Sequence, residues 1–106
     1  MIRARYRHAD GINELTMTGH AGYAARGEDI VCAAASILVY TLVRRVDDLA
    51  DSYDMNVTGN GEAYICVNED TPAIRHTFDT ILMGIRELAR NYPDHVDFRE
   101  EGVPYI

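Results

Sequence analysis

The chain of 106 residues has no tryptophan and no lysine, and it carries only two cysteines and three prolines. Two cysteines cannot staple a disulfide scaffold, so stability must come from an apolar core. With 47% hydrophobic residues, one domain spanning 1–106 can build one. Without lysine, all ten cationic side chains are arginine, and against 17 acids they leave a net charge of -7. That balance argues against nucleic acid or an anionic membrane as partner and suits a basic protein instead. The acids gather late, since residues 1–46 hold six Arg and four acids whereas residues 47–106 hold four Arg and thirteen acids. Long hydrophobic runs are missing too. The longest, Ile30 to Val43, is interrupted by Ser36 and Thr41 and falls short of the about 20 residues a membrane helix needs. Arg3, Arg5 and Arg7 have no continuous apolar stretch behind them, so no secretory leader is read and a reducing, cytoplasmic setting is expected.

What is present begins with alternation. Ile2, Ala4 and Tyr6 alternate with the three arginines, Asp10-Gly11 supplies a turn, and Leu15, Met17 and Gly19 resume the pattern, which predicts a β-hairpin. Residues 21–28, with Gly22 and Gly27 and no period, read as a loop. Asp29 is a good N-cap for a helix from Ile30 to about Asp51. This helix is apolar on every side until Arg44, more than so short a chain can cover, and a homodimer is therefore expected. Asn56–Thr58, the tight Gly59-Asn60-Gly61 and Ala63–Val67 give a second hairpin. Thr71 with Pro72 opens a second helix whose Ile74, Phe78, Ile81, Leu82, Ile85, Leu88 and Tyr92 share one face, and which stops before Pro93. Val96–Arg99 can add a short final strand, and the tail 100–106 reads as irregular. The fold class is α+β: a mainly antiparallel sheet with two helices in the order ββαββα, the last strand optional.

The segment that carries chemistry runs from Gly19-His20-Ala21 to Asp29-Ile30-Val31-Cys32-Ala33-Ala34-Ala35-Ser36. A histidine at a strand end and a cysteine in the first turn of a helix, joined by a glycine-bearing loop, can assemble a nucleophile with its base. The positive end of a helix favours a thiolate at Cys32, and the free N–H groups there offer themselves to an oxyanion as well. The motif closely resembles that of the ribosomal-processing cysteine protease family, Prp: Gly-His-Ala, eight residues between His20 and Asp29, then Asp-Ile-Val-Cys-Ala-Ala and a serine at position 36. The resemblance implies a small cytoplasmic dimer that removes an N-terminal extension from a large-subunit ribosomal protein. It implies His20 as the catalytic histidine and Cys32 as the nucleophile. Asp29, Gly19 and Ser36 take supporting roles, Asp29 as helix cap. The other readings are a related phage or prophage protease acting on phage structural proteins, or a non-catalytic ribosome-assembly module.

Plainer readings apply elsewhere. Cys66 is strand filler, and a disulfide to Cys32 is disfavoured in a reducing compartment. His8, His76 and His95 have no cysteine or carboxylate at a recognisable spacing and read as histidines satisfied by backbone groups. A metal site from His20, Cys32 and Asp29 lacks both a Cys-x-x-Cys and a helical histidine pair, so no metal and no cofactor is expected. Arg3, Arg5 and Arg7 read as the solvated side of a half-buried sheet. Gly22, Tyr23 and Gly27 mark the 21–28 loop as a substrate-binding gate. One conflict stands out: strand parity aims His20 away from the Leu15 and Met17 face on which the Cys32 helix should pack. The expected remedy is a break in strand geometry at Gly19 or His20, with Gly19→Val harming cleavage more than stability.

Overall fold

The computed structural model describes residues 1–102. Seven elements follow one another: β1 (Ile2–Ala9), β2 (Ile12–Thr18), α1 (Ile30–Leu49), β3 (Tyr53–Val57), β4 (Glu62–Val67), α2 (Pro72–Asn91) and β5 (Val96–Gly102). The β1–β2 turn is held by Asp10 and Gly11, both at positive φ (52° and 74°), as a tight two-residue hairpin requires. The five strands form one sheet in the order β3-β4-β2-β1-β5. Every pairing is antiparallel except that of β1 with β5, which is parallel and starts at Ile2 opposite Val96. The final strand thus exists and is longer than its sequence pattern indicates. Glu100 to Gly102, read as irregular, belong to it because β1 offers an unpaired edge, and edge pairing overrides weak local propensity. The remainder of that tail, 103–106, lies outside the described residues.

Alternation decides which face is buried. Ile2, Ala4 and Tyr6 of β1, Leu15 and Met17 of β2, Ile65 and Val67 of β4 and Val96 of β5 turn to one side and are buried there. Both helices cover that side, α1 through Val31, Ala35, Val39, Leu42 and Val46, and α2 through Ile74, Phe78, Ile81, Leu82 and Ile85. On the other side of the sheet Arg3 and Arg7 are exposed, and Arg5 pairs with Asp97 at 3.0 Å. The helices approach closely at Gly84, where a Cβ would stand 2.6 Å from a methyl of Leu38. The start of α1 leaves part of its apolar surface uncovered: Ile30 is 58% and Ile37 63% exposed, with Met83 of α2 at 62%. No helix among the described residues is long and apolar enough to cross a membrane.

A polar cluster closes the end of the sheet remote from the Cys32 helix start. The Tyr6 hydroxyl donates to buried Asn13 (2.6 Å), whose amide donates to Asp70 (3.2 Å). Arg75 (2.6 Å) and His8 (3.0 Å) donate to the same carboxylate. The Arg75 guanidinium is the main reason that the Asp70 carboxyl titrates at about 2 instead of 3.8, with the Asn13 and His8 hydrogen bonds adding to it against desolvation. His8 therefore meets a carboxylate sixty-two positions away in the chain, a distance at which no spacing rule reveals it.

Candidate active site

The break anticipated at the end of β2 is present. Strand geometry stops at Thr18, and Gly19 takes φ 93° while donating its N–H to the carbonyl of Gly61 at 2.8 Å. A Cβ on Gly19 would lie 2.3 Å from the carbonyl oxygen of Met1. That oxygen is backbone and cannot step aside, so Gly19→Val would damage the fold together with the site, contrary to the expectation from the sequence. Beyond the break, the exposed His20 enters a cleft of about 520 Å³ also lined by Cys32, Asp29, Ser36, Gly19, Gly22 and Gly27. Met17, Val57, Ala63 and Val39 give this cleft an apolar wall.

Cys32 sits in the first turn of α1, partly exposed, as a free thiol. Its sulfur accepts a hydrogen bond from the N–H of Ala21 at 3.2 Å. This places a backbone donor on the sulfur at the N-terminal end of a 20-residue helix. At the helix start, however, the N–H groups of Val31, Cys32 and Ala33 are already taken and not free for an oxyanion. Asp29 takes those of Val31 (3.0 Å) and Cys32 (2.9 Å) on one carboxylate oxygen, and its backbone carbonyl takes that of Ala33. The other carboxylate oxygen accepts from Tyr23 (3.0 Å) and Ala24 (3.4 Å). Led by the Cys32 N–H, these donors hold the Asp29 carboxyl below its ordinary pKa. Asp29 is thus both helix cap and anchor of the 21–28 loop.

Tyr23 does not line the cleft wall. Its ring meets Tyr92 and His95 edge-on, with centroids 5.5 and 5.4 Å apart. His95 also reaches the carbonyl of Ala21, Nδ1 to oxygen 2.9 Å; because a carbonyl only accepts, Nδ1 carries the proton. Ala21, nearly inaccessible at 2%, is therefore gripped twice, its N–H by the Cys32 sulfur and its C=O by His95. Sequence reasoning missed His95, Tyr92 and Gly61. For the two aromatics no spacing signal exists, since they come from the far side of α2. For Gly61 the Gly-x-Gly turn was visible, but not what the turn touches. Cys66 is buried in β4 as a free thiol. Among the described residues no three His, Cys, Asp or Glu side chains are grouped to hold a metal ion.

Residues 1–97 match the family described as Cysteine protease Prp. The chain is 44% identical over 105 residues to the ribosomal processing cysteine protease Prp of Bacillus subtilis, covering 91% of this chain and 94% of that one. To the protein of the same name from Mycoplasma genitalium it is 30% identical over 89 residues, 84% of this chain and 89% of the other. Among solved structures, the S. aureus ribosomal processing protease Prp with a covalently linked product peptide superposes with a TM-score of 0.84 at 25% identity, covering 94% and 99% of the two chains. SMU.848 from Streptococcus mutans gives 0.75 at 34% identity, covering 97% and 96%. The family match extends from β1 into the start of β5 and takes in the His20 strand end, the Cys32 helix start, the loop between them and the β3–β4 turn beside His20, so the chain belongs to the cysteine protease Prp family.

Proposed function

We propose that the chain is a cytoplasmic cysteine endopeptidase, one domain over residues 1–106, that removes the N-terminal extension of a large-subunit ribosomal protein with His20 and Cys32 as a dyad. The observation that carries this reading is a single cleft lined by both side chains, in which the Cys32 sulfur already holds a backbone N–H. His20 takes the Sγ proton as the sulfur bonds to the scissile carbonyl carbon. It returns that proton to the amine as the C–N bond breaks, leaving a thioester. Water then gives a proton to His20 while its oxygen adds to the thioester, the C–S bond breaks, and the proton goes back to the sulfur. Proton shuttling of this kind is worth about 10²–10⁴-fold in rate. His20 and Cys32 are not hydrogen-bonded to each other at rest, and the 21–28 loop is the element whose closure on a peptide would shorten the gap.

The relatives' name, ribosomal processing cysteine protease, together with the net charge of -7, supports a basic ribosomal substrate for this chain. Its apolar cleft wall suits an extended peptide with hydrophobic side chains near the cut. The exposed Ile30, Ile37 and Met83 support a homodimer. The test is incubation with the N-terminal region of the host ribosomal protein followed by mass spectrometry. A single new N-terminus, absent with Cys32→Ala, is the expected result; an intact substrate overturns the assignment.

A further inference from the structure

A base that works beside a nucleophile is commonly held by a third polar side chain, but among the described residues none hydrogen-bonds the His20 imidazole. The ring is exposed, and an exposed histidine would ordinarily sample several rotamers. Beside it runs the β3–β4 turn. An ideal Cβ built on Gly61 would lie 2.8 Å from Nε2 and 2.9 Å from Cε1 of His20, and 3.2 Å from the carbonyl oxygen of Gly19. The observed ring position therefore exists only because residue 61 has no side chain. The same residue fixes where that space lies, since its carbonyl accepts the Gly19 N–H at 2.8 Å, one residue before His20.

We propose that Gly61 is the positioning residue for His20: a bare backbone seat in the β3–β4 turn that substitutes shape for an orienting hydrogen bond. This rests on the dyad reading above. Any side chain at 61 must expel the imidazole, because the alternative is a shift of backbone. The imidazole is the softer of the two, so its displacement costs the fold little and catalysis much. A misplacement of about 1 Å in a catalytic group is enough for about 100-fold in rate.

Gly61 has φ 79°, so an alanine there is also strained for reasons unrelated to His20. Gly11, at φ 74° in the β1–β2 turn with nothing within 4 Å of its Cβ position, carries the same strain far from the cleft and serves as control. The experiment measures three quantities for Gly61→Ala, Gly11→Ala, His20→Ala and the double variant His20→Ala with Gly61→Ala. They are the urea midpoint, kcat and KM on a peptide spanning the cleaved junction, and the rate of Cys32 alkylation by iodoacetamide, which needs no substrate. Gly61→Ala and Gly11→Ala should have matching midpoints. Only Gly61→Ala should lose kcat, by about 100-fold, with KM little changed. In the His20→Ala background, Gly61→Ala should slow alkylation no further, since both act through one imidazole. Should Gly61→Ala fail to fold, Gly61→Asn tolerates the positive φ while still presenting a Cβ to the ring. Wild-type kcat in Gly61→Ala, or an equal further loss in the His20→Ala background, overturns the seat. A His20→Ala enzyme that still cleaves and alkylates normally overturns the dyad instead, so the two failures are told apart.

Discussion

The grip on Ala21 can be opened from one side. Replacing His95 by leucine removes the Nδ1–H donor to the Ala21 carbonyl and the edge contact with Tyr23, yet leaves the two main-chain bonds of residue 95, to Tyr92 and from Ile2, in place. The hydrogen bond contributes about 0.5–1.5 kcal/mol net and the ring pair about the same again. Tyr23 is 46% exposed, which puts its share at the low end, so the sum is about 1–2 kcal/mol. Residues 22–28 are all exposed and add nothing to the core, so the loss should appear as local opening of the loop rather than as global unfolding. Converted, it raises the open population about 5- to 30-fold. Hydrogen exchange at the Ala21 and Tyr23 amides should accelerate by that factor, and Cys32 alkylation should slow as the sulfur loses its donor. His95→Asn keeps a donor where Nδ1 stood and should recover about half of the effect. Unchanged exchange at both amides in His95→Leu, with unchanged cleavage, would refute the latch.

Three further outcomes follow from other parts of the molecule. Cys32→Ala should fold and lose all measurable cleavage whereas Cys66→Ala, buried in β4 away from the cleft, should retain it; the assay is mass spectrometry of the substrate, and wild-type rates in Cys32→Ala would end the thiol mechanism. Asp70 has a depressed pKa, so its stabilising effect is present above about 3.8 and fades as pH falls towards about 2. Discounted for the partly exposed Arg75, Asp70→Asn should cost about 1 kcal/mol at pH 7 in urea titration, with the gap to wild type narrowing below pH 4. Sedimentation at micromolar concentration should give twice the monomer mass, and Ile37→Glu, placing a charge on exposed apolar surface of α1, should shift it to the monomer.

The local rules were legible to nearly the residue where one element's own sequence decides. Asp29 and Thr71 with Pro72 cap helices where expected, and the alternation of β1 and β2 reads out the buried face directly. Even the difficulty at His20 was visible, because a parity conflict beside a glycine announces that the strand must break. What could not be read depends on residues that meet only through the sheet. The parallel β1–β5 ladder recruits Glu100 to Gly102 despite their weak strand propensity. The seat at Gly61 exists because β4 pairs with β2, bringing the turn beside the strand end. The occupied N–H groups at the helix start were also missed, because a cap that satisfies the helix was not weighed against an oxyanion that would need the same donors.

The latch also sets a clock. His95 is 74 residues beyond the Ala21 carbonyl it holds, and it immediately precedes β5, whose pairing with β1 joins Ile2 to Val96. On a ribosome, the β1–β2 hairpin and the Cys32 helix emerge first and can form early, whereas a contact of such long sequence separation waits for loop closure over nearly the whole chain. A nascent chain can therefore carry Cys32 for most of its synthesis without a clamped Ala21 beside it. The Cys32 thiol meets a clamped Ala21 N–H only once residue 95 has cleared the exit tunnel, so the grip arrives late and at one step, and a translation product truncated before that point would hold both His20 and Cys32 yet lack it.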